Sequence, residues 1–162
     1  MSPSSRSVLI GIAGVSLGAV GAALLTQHVF DMQPCPWCVF QRLIFVVIAL
    51  VALCGLAWRS AVGQRSIVFG LLLLASTGVA TALWHYFVAT TSISCNLSLA
   101  DRIMSASGLA TLLPDVFEAR ASCSDGAVDL LGLPYPFWSL AVFVAVEAAA
   151  VWLLMQVSAA RR

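Results

Sequence analysis

Four long apolar stretches divide the chain, running from about Val8 to Val29, Val39 to Trp58, Ile67 to Val88 and Pro136 to Val157, and only Arg42 and Glu147 carry charge within them. A run of about 18 apolar residues reads as a membrane span, because in lipid only a helix or a closed barrel satisfies every backbone hydrogen bond. The alternation of a barrel strand is absent, and segments such as Leu71 to Leu74 are apolar on every side. The pattern therefore predicts an all-α, polytopic four-helix membrane bundle formed as one domain over residues 1–162. Spans three and four are joined by a loop from Ala89 to Tyr135, longer than most connections and for that reason expected to be functional. The first apolar run exceeds a signal-peptide core, so it is expected to stay as a span. Its glycines Gly11, Gly14, Gly18 and Gly21 recur three or four apart, which predicts a stripe for close approach of a neighbouring helix.

Composition sharpens this reading. Apolar residues make up 61% of the chain and charged ones 9%, against roughly 45–50% and about 25% in soluble domains, so a soluble fold is excluded. The net charge of +1 leaves no basic patch for nucleic acid. Arg6, the Arg59 to Arg65 link and the Arg161–Arg162 end fall on one side of the bundle. By the arginine bias that side is cytoplasmic, with both termini on it. Trp37, Trp84, Tyr86, Tyr135 and Trp138 fall near the other edge and are expected in an interfacial belt.

Chemistry concentrates in the cysteines. Cys35, Cys38, Cys95 and Cys123 all lie on the outer side, while Cys54 is alone within span two. Two inert staples would explain an ordinary outer set of four, but a Cys-x-x-Cys pair is seldom a useful brace and often a redox centre. The pair sits in Pro34-Cys35-Pro36-Trp37-Cys38, where the second helix begins, with Pro36 at home in a first turn. A thiolate at Cys38 is favoured by the helix N-terminus and by Arg42 four residues on. An ionisable residue one turn into a span is functional by default, although an arginine can also snorkel to the interface. Haem attachment would need a histidine where Val39 stands, and the 27 residues between Cys95 and Cys123 do not suit a zinc knuckle. Two dithiol pairs on one face suggest an electron relay, and with no nucleotide fingerprint the acceptor compatible with an apolar bundle is a lipid-soluble quinone. Arg42 would stabilise its reduced oxygen, and His85 offers a second polar contact.

The segment Cys35-Pro36-Trp37-Cys38-Val39-Phe40-Gln41-Arg42 opening the second span closely resembles the disulfide bond formation protein B (DsbB) family. So do the long loop with Cys95 and Cys123, the stretch Leu113 to Phe117 and Gly132-Leu133-Pro134. The resemblance covers nearly the whole chain. It implies a thiol:quinone oxidoreductase of the bacterial inner membrane that reoxidises a DsbA-like periplasmic dithiol oxidase and passes electrons to ubiquinone or menaquinone. By the same resemblance Cys38 faces the quinone, Cys35 exchanges with the loop pair, Cys95 forms the mixed disulfide with the partner and Cys123 is its mate. Arg42 and His85 then correspond to quinone-site residues. Vitamin K epoxide reductase-like enzymes use similar cysteines, but their loop pair precedes the Cys-x-x-Cys pair. A transmembrane electron conductor would need a cysteine pair within its spans. The non-enzymatic alternative is a disulfide-stapled bundle acting as a channel or assembly subunit, with Glu147 as its pathway residue.

Overall fold

The structure is a computed structural model that describes residues 3–58, 60–88, 99–122 and 129–159. Four long helices carry it: α1 (Pro3–Val29), α2 (Pro36–Ala57), α3 (Ala61–Phe87) and, after the loop elements, α7 (Tyr135–Ala159). At 1.5 Å per residue even the shortest, with 22 residues, spans roughly 33 Å, enough for a hydrocarbon core of about 30 Å. All four are long and apolar enough to cross a membrane, and the chain is a multi-pass membrane protein.

The helices form a closed ring in which α1 packs on α2, α2 on α3, α3 on α7 and α7 on α1. They run alternately up and down: Leu9 near the start of α1 meets Gly55 near the end of α2, while Thr26 near the end of α1 meets Tyr135 at the start of α7. Leu9, Ile12 and Val20 of α1 face inward onto Phe45 and Ile48 of α2, Val68 and Leu71 of α3, and Phe143 and Val146 of α7. Leu17, Leu50, Leu73 and Val151 face outward, where the surrounding solvent is lipid.

Local chemistry fixes where the helices begin. Cys35 is the N-cap of α2, its sulfur accepting from Cys38 N–H at 3.3 Å with Pro36 in the first turn. Ser60 caps α3 by accepting from Gly63 N–H at 3.1 Å. Buried Gln64 reaches back to donate to the carbonyls of Gly55, at 2.9 Å, and Trp58, which closes the α2–α3 link.

The expected long loop holds elements of its own. Three short helices, α4 (Leu99–Ser107), α5 (Leu109–Leu112) and α6 (Pro114–Phe117), are followed by a hairpin of β1 (Asp129–Leu130) and β2 (Leu133–Pro134). Gly108 ends α4 at φ 67°, and Leu131 and Gly132 at φ 55° and 80° form the tight turn between the strands. Ala100 and Met104 of α4 and Phe117 of α6 are buried. Met104 and Phe117 cover Val39, so α4 and α6 sit as a cap over the start of α2.

Three expectations are corrected. The glycine stripe of α1 is not a helix contact: Gly11, Gly14, Gly18 and Gly21 are exposed, and a methyl group built on any of them meets nothing within 4 Å. The inward face of α1 is instead set by its larger residues. Trp37 is no belt residue either; it is buried with Cys35 and Ala100 and meets Phe40 edge-on. Tyr135 likewise turns inward, to Thr26. Arg59, Arg161 and Arg162, which carried much of the orientation argument, lie outside the described residues.

Candidate active site

The Cys-x-x-Cys pair is built at the first turn of α2. Cys35 and Cys38 place their sulfurs 2.8 Å apart, so a disulfide at about 2.05 Å needs less than roughly 1 Å of further approach. Cys35 has no exposed surface and packs against Ala100 of α4. Burial, with the Cys38 sulfur beside it, pushes the Cys35 thiol well above the ordinary range. The carbonyl of Pro34, one residue earlier, accepts backbone N–H bonds from Arg120 at 2.9 Å and Ala121 at 3.2 Å, which ties the loop to this turn.

Cys38 faces the other way, into a cavity of about 200 Å³ between α1, α2 and α7. The cavity wall is mostly apolar, with Ala19, Ala22, Phe45 and Val142, and carries polar groups from Thr26, Gln41, Arg42 and Tyr135. Leu130 of the hairpin closes part of it, and the hairpin is held by the Trp138 indole N–H donating to the Leu130 carbonyl at 3.2 Å.

Arg42 does not snorkel. It is buried, and its Nη1 donates to Gln27 Oε1 at 2.6 Å and to the Val116 carbonyl at 3.1 Å, while Nη2 donates to the Ala23 carbonyl at 3.2 Å. Its Nε and the Gln41 Nε2 are buried without a hydrogen-bond partner among the described residues. Two unmet donors on cavity-lining side chains are costly unless something with acceptor oxygens enters.

His85 does not line this cavity. It is fully buried and sets Nε2 3.3 Å from Cys35 Sγ, so it stands on the loop-facing sulfur rather than beside Arg42. The ligand atoms of Cys35, Cys38 and His85 lie within 4.8 Å of one another. Two thiolates on a tetrahedral zinc ion, each at about 2.3 Å, would stand roughly 3.8 Å apart. The observed 2.8 Å fits sulfurs set to bond each other.

Cys95 and Cys123 lie outside the described residues. Cys54 is exposed on the outer face of α2, far along the helix from the pair. Glu147 is half-buried midway along α7 and accepts from Ser76 Oγ of α3 at 2.7 Å, which satisfies one carboxyl oxygen within the bundle's own α3–α7 seam.

Sequence reasoning missed Gln27, Thr26 and Tyr135. The first two belong to the polar triplet Thr26-Gln27-His28 closing an apolar span, a signal that polar groups at that depth have partners. Tyr135 was hidden because a tyrosine at a span's edge suits the interface equally well.

Comparison with known proteins returns one family. The family model "Disulfide bond formation protein DsbB" matches residues 5–153. Relatives named disulfide bond formation protein B include one from Herminiimonas arsenicoxydans, 37% identical over 88% of this chain and 90% of its own. Another, from Aromatoleum aromaticum, is 33% identical over 93% of each chain. A third, from Cupriavidus necator, is 37% identical over 86% of each.

Proposed function

Because the chain belongs to the DsbB family of disulfide bond formation proteins, we propose that it is a thiol:quinone oxidoreductase that reoxidises a DsbA-like periplasmic dithiol oxidase and delivers the electrons to ubiquinone or menaquinone. The observation that carries this reading is the division of one cysteine pair between two surroundings. Cys35 lies under the loop beside Ala100, and Cys38 opens onto the cavity.

The residues of the cavity fit a quinone head group. An apolar cavity of roughly 150 Å³ takes a benzene ring, and this one offers about 200 Å³ with unpartnered donors on Gln41 and Arg42. Those two side chains would hold a ring carbonyl, with Tyr135 as a further hydroxyl on the wall. When bound there, a quinone supplies an acceptor for two electrons and two protons.

The chain's own part is thiol exchange in sequence. The partner's dithiol becomes a disulfide as the Cys95–Cys123 disulfide is reduced to two thiols. A thiolate of that loop pair then attacks Cys35 Sγ, the Cys35–Cys38 bond breaks, and Cys38 leaves as the thiolate at the helix start. The second loop thiol closes the loop disulfide and frees Cys35 as a thiol. His85 Nε2, against Cys35 Sγ, is placed to hold or give the proton there. Arg42 balances charge at Cys38 and in the cavity. The bilayer is the bacterial inner membrane, with both termini cytoplasmic and the loop in the periplasm.

The test uses purified full-length protein in nanodiscs with a reduced thioredoxin-fold dithiol oxidase and decylubiquinone. The expected result is quinone reduction matched one to one by partner disulfide. A folded protein with its cysteines intact that catalyses no quinone-dependent thiol oxidation would return the chain to the stapled-bundle alternative.

A further inference from the structure

Arg42 is held from one side by a residue the redox chemistry above does not use. Gln27, near the end of α1, has 3% of its surface exposed. Its Oε1 accepts from Arg42 Nη1 at 2.6 Å, and its Nε2 donates to the Asp115 carbonyl of α6 at 3.2 Å. Arg42 Nη1 also donates to the carbonyl of the next residue, Val116, at 3.1 Å. A span helix, the cavity arginine and the loop helix are thus joined through one amide.

The choice of side chain is restrictive. A buried primary amide accepts at one end and donates at the other, and both ends are used here. A carboxylate could keep the arginine but not donate to the Asp115 carbonyl. An apolar residue of similar length would leave an Nη1 proton and a backbone carbonyl each short of a partner in a dry site. The remaining guanidinium contacts, from Nη1 to the Val116 carbonyl and from Nη2 to the Ala23 carbonyl, are to backbone, so Gln27 is the one side chain among the described residues that holds the group. The same side chain of Arg42 lines the cavity, so what holds the guanidinium also sets the charge that an entering acceptor oxygen meets.

We infer that Gln27 is the positioning residue of the electron-acceptor site, holding the Arg42 guanidinium in the cavity wall and registering it against loop helix α6. The inference deepens the proposed thiol:quinone reading and rests on it.

Gln27→Leu and Gln27→Glu in the full-length protein test it, with KM and kcat measured separately for decylubiquinone at saturating reduced partner. Gln27→Leu is expected to raise the quinone KM about tenfold, the scale of one hydrogen bond to a charged group, with kcat changed less than about threefold. Gln27→Glu keeps the acceptor for Arg42 and is expected to hold KM within about threefold of the parent, a rescue that a merely structural residue would not show. An unchanged KM in Gln27→Leu, or a loss in Gln27→Glu as large as that in Gln27→Leu, overturns the inference. Should Gln27→Leu fail to fold, a tenfold KM rise in Gln27→Glu would overturn it alone and a KM near the parent's would sustain it. Failure of the unsubstituted protein to reduce quinone would instead reject the functional reading itself.

Discussion

A single arginine shows how position and burial combine. Arg42 lies one turn into an apolar span, which marked it from sequence, yet the sequence could not say whether it reaches for water or turns inward. Three hydrogen bonds to Gln27, Ala23 and Val116 decide that. Removing the guanidinium takes away a charged donor, worth about 1.5–3 kcal/mol or roughly 10- to 100-fold in binding. Arg42→Ala is therefore expected to raise the quinone KM by that factor while exchange between the partner and the loop pair proceeds at near its normal rate. Arg42→Lys should recover only part, since an ammonium lacks the planar fork that serves three acceptors in two directions. Rapid-mixing of the thiol half-reaction beside steady-state quinone kinetics separates the two effects, and equal loss in both would make Arg42 structural. Cys54 is the contrasting residue: exposed on the outer face of α2 and far along that helix from Cys35 and Cys38, it behaves as a small hydrophobe. Cys54→Ala is expected to keep turnover within about twofold of the parent, the scale of a neutral surface change. A folded Cys54→Ala protein without quinone reduction would remove the outer relay.

At the scale of elements, hydropathy finds the part of a helix that lies in lipid and not the helix itself. The predicted spans opened at about Val8 and Ile67, whereas α1 begins at Pro3 and α3 at Ala61, because Arg6, Gln64 and Arg65 are polar but still helical. The loop was legible only as a loop. Its α4 carries Leu99, Ala100, Ile103 and Met104 at helical spacing, a signal within reach, but α5 and α6 are four residues each, too short for a period, and α5 packs on α4 and α6 while α6 packs on α2. The glycine stripe failed for a related reason, since small residues permit close approach without supplying a neighbour. The close approach occurs at Gly78 of α3, where an added methyl would run into the Phe143 ring of α7. That ring stacks on Phe45 of α2 with centroids 4.0 Å apart, so three helices meet there. Gly78→Ala should cost about 1–3 kcal/mol by overpacking, read as a lower thermal midpoint in detergent. Adding Phe143→Leu should recover part of the loss, and an unchanged midpoint in Gly78→Ala would show that the seam is looser than this packing implies.

For the molecule as a whole, the proposed function would have the arrangement separate a water-soluble reductant from a lipid-soluble acceptor. Cys35 has no exposed surface, and Cys38 opens onto a cavity walled by α1, α2 and α7, so a folded partner cannot bring its own thiol to either sulfur. Under the proposed function the first exchange is then expected at the loop pair, Cys95 and Cys123, which lie outside the described residues. Between these two, Cys95 follows Thr90-Thr91-Ser92-Ile93-Ser94, four of whose five residues are small and polar, a sequence suited to strand-like docking along a substrate groove. Cys123 stands two residues from Asp125, whose charge disfavours a thiolate. The partner's attacking thiolate is therefore expected at Cys95 Sγ, with Cys123 leaving, which agrees with the role the family resemblance assigns to Cys95. A partner stripped of its resolving cysteine should accumulate as a mixed disulfide, and peptide mass spectrometry of the adduct should place the bond at Cys95. A bond at Cys123 with Cys95 free would exchange the two roles and leave the relay standing. Adducts at Cys35 or Cys38 would mean that the cap over α2 opens to a folded protein, and the separation of reductant from acceptor would have to be abandoned.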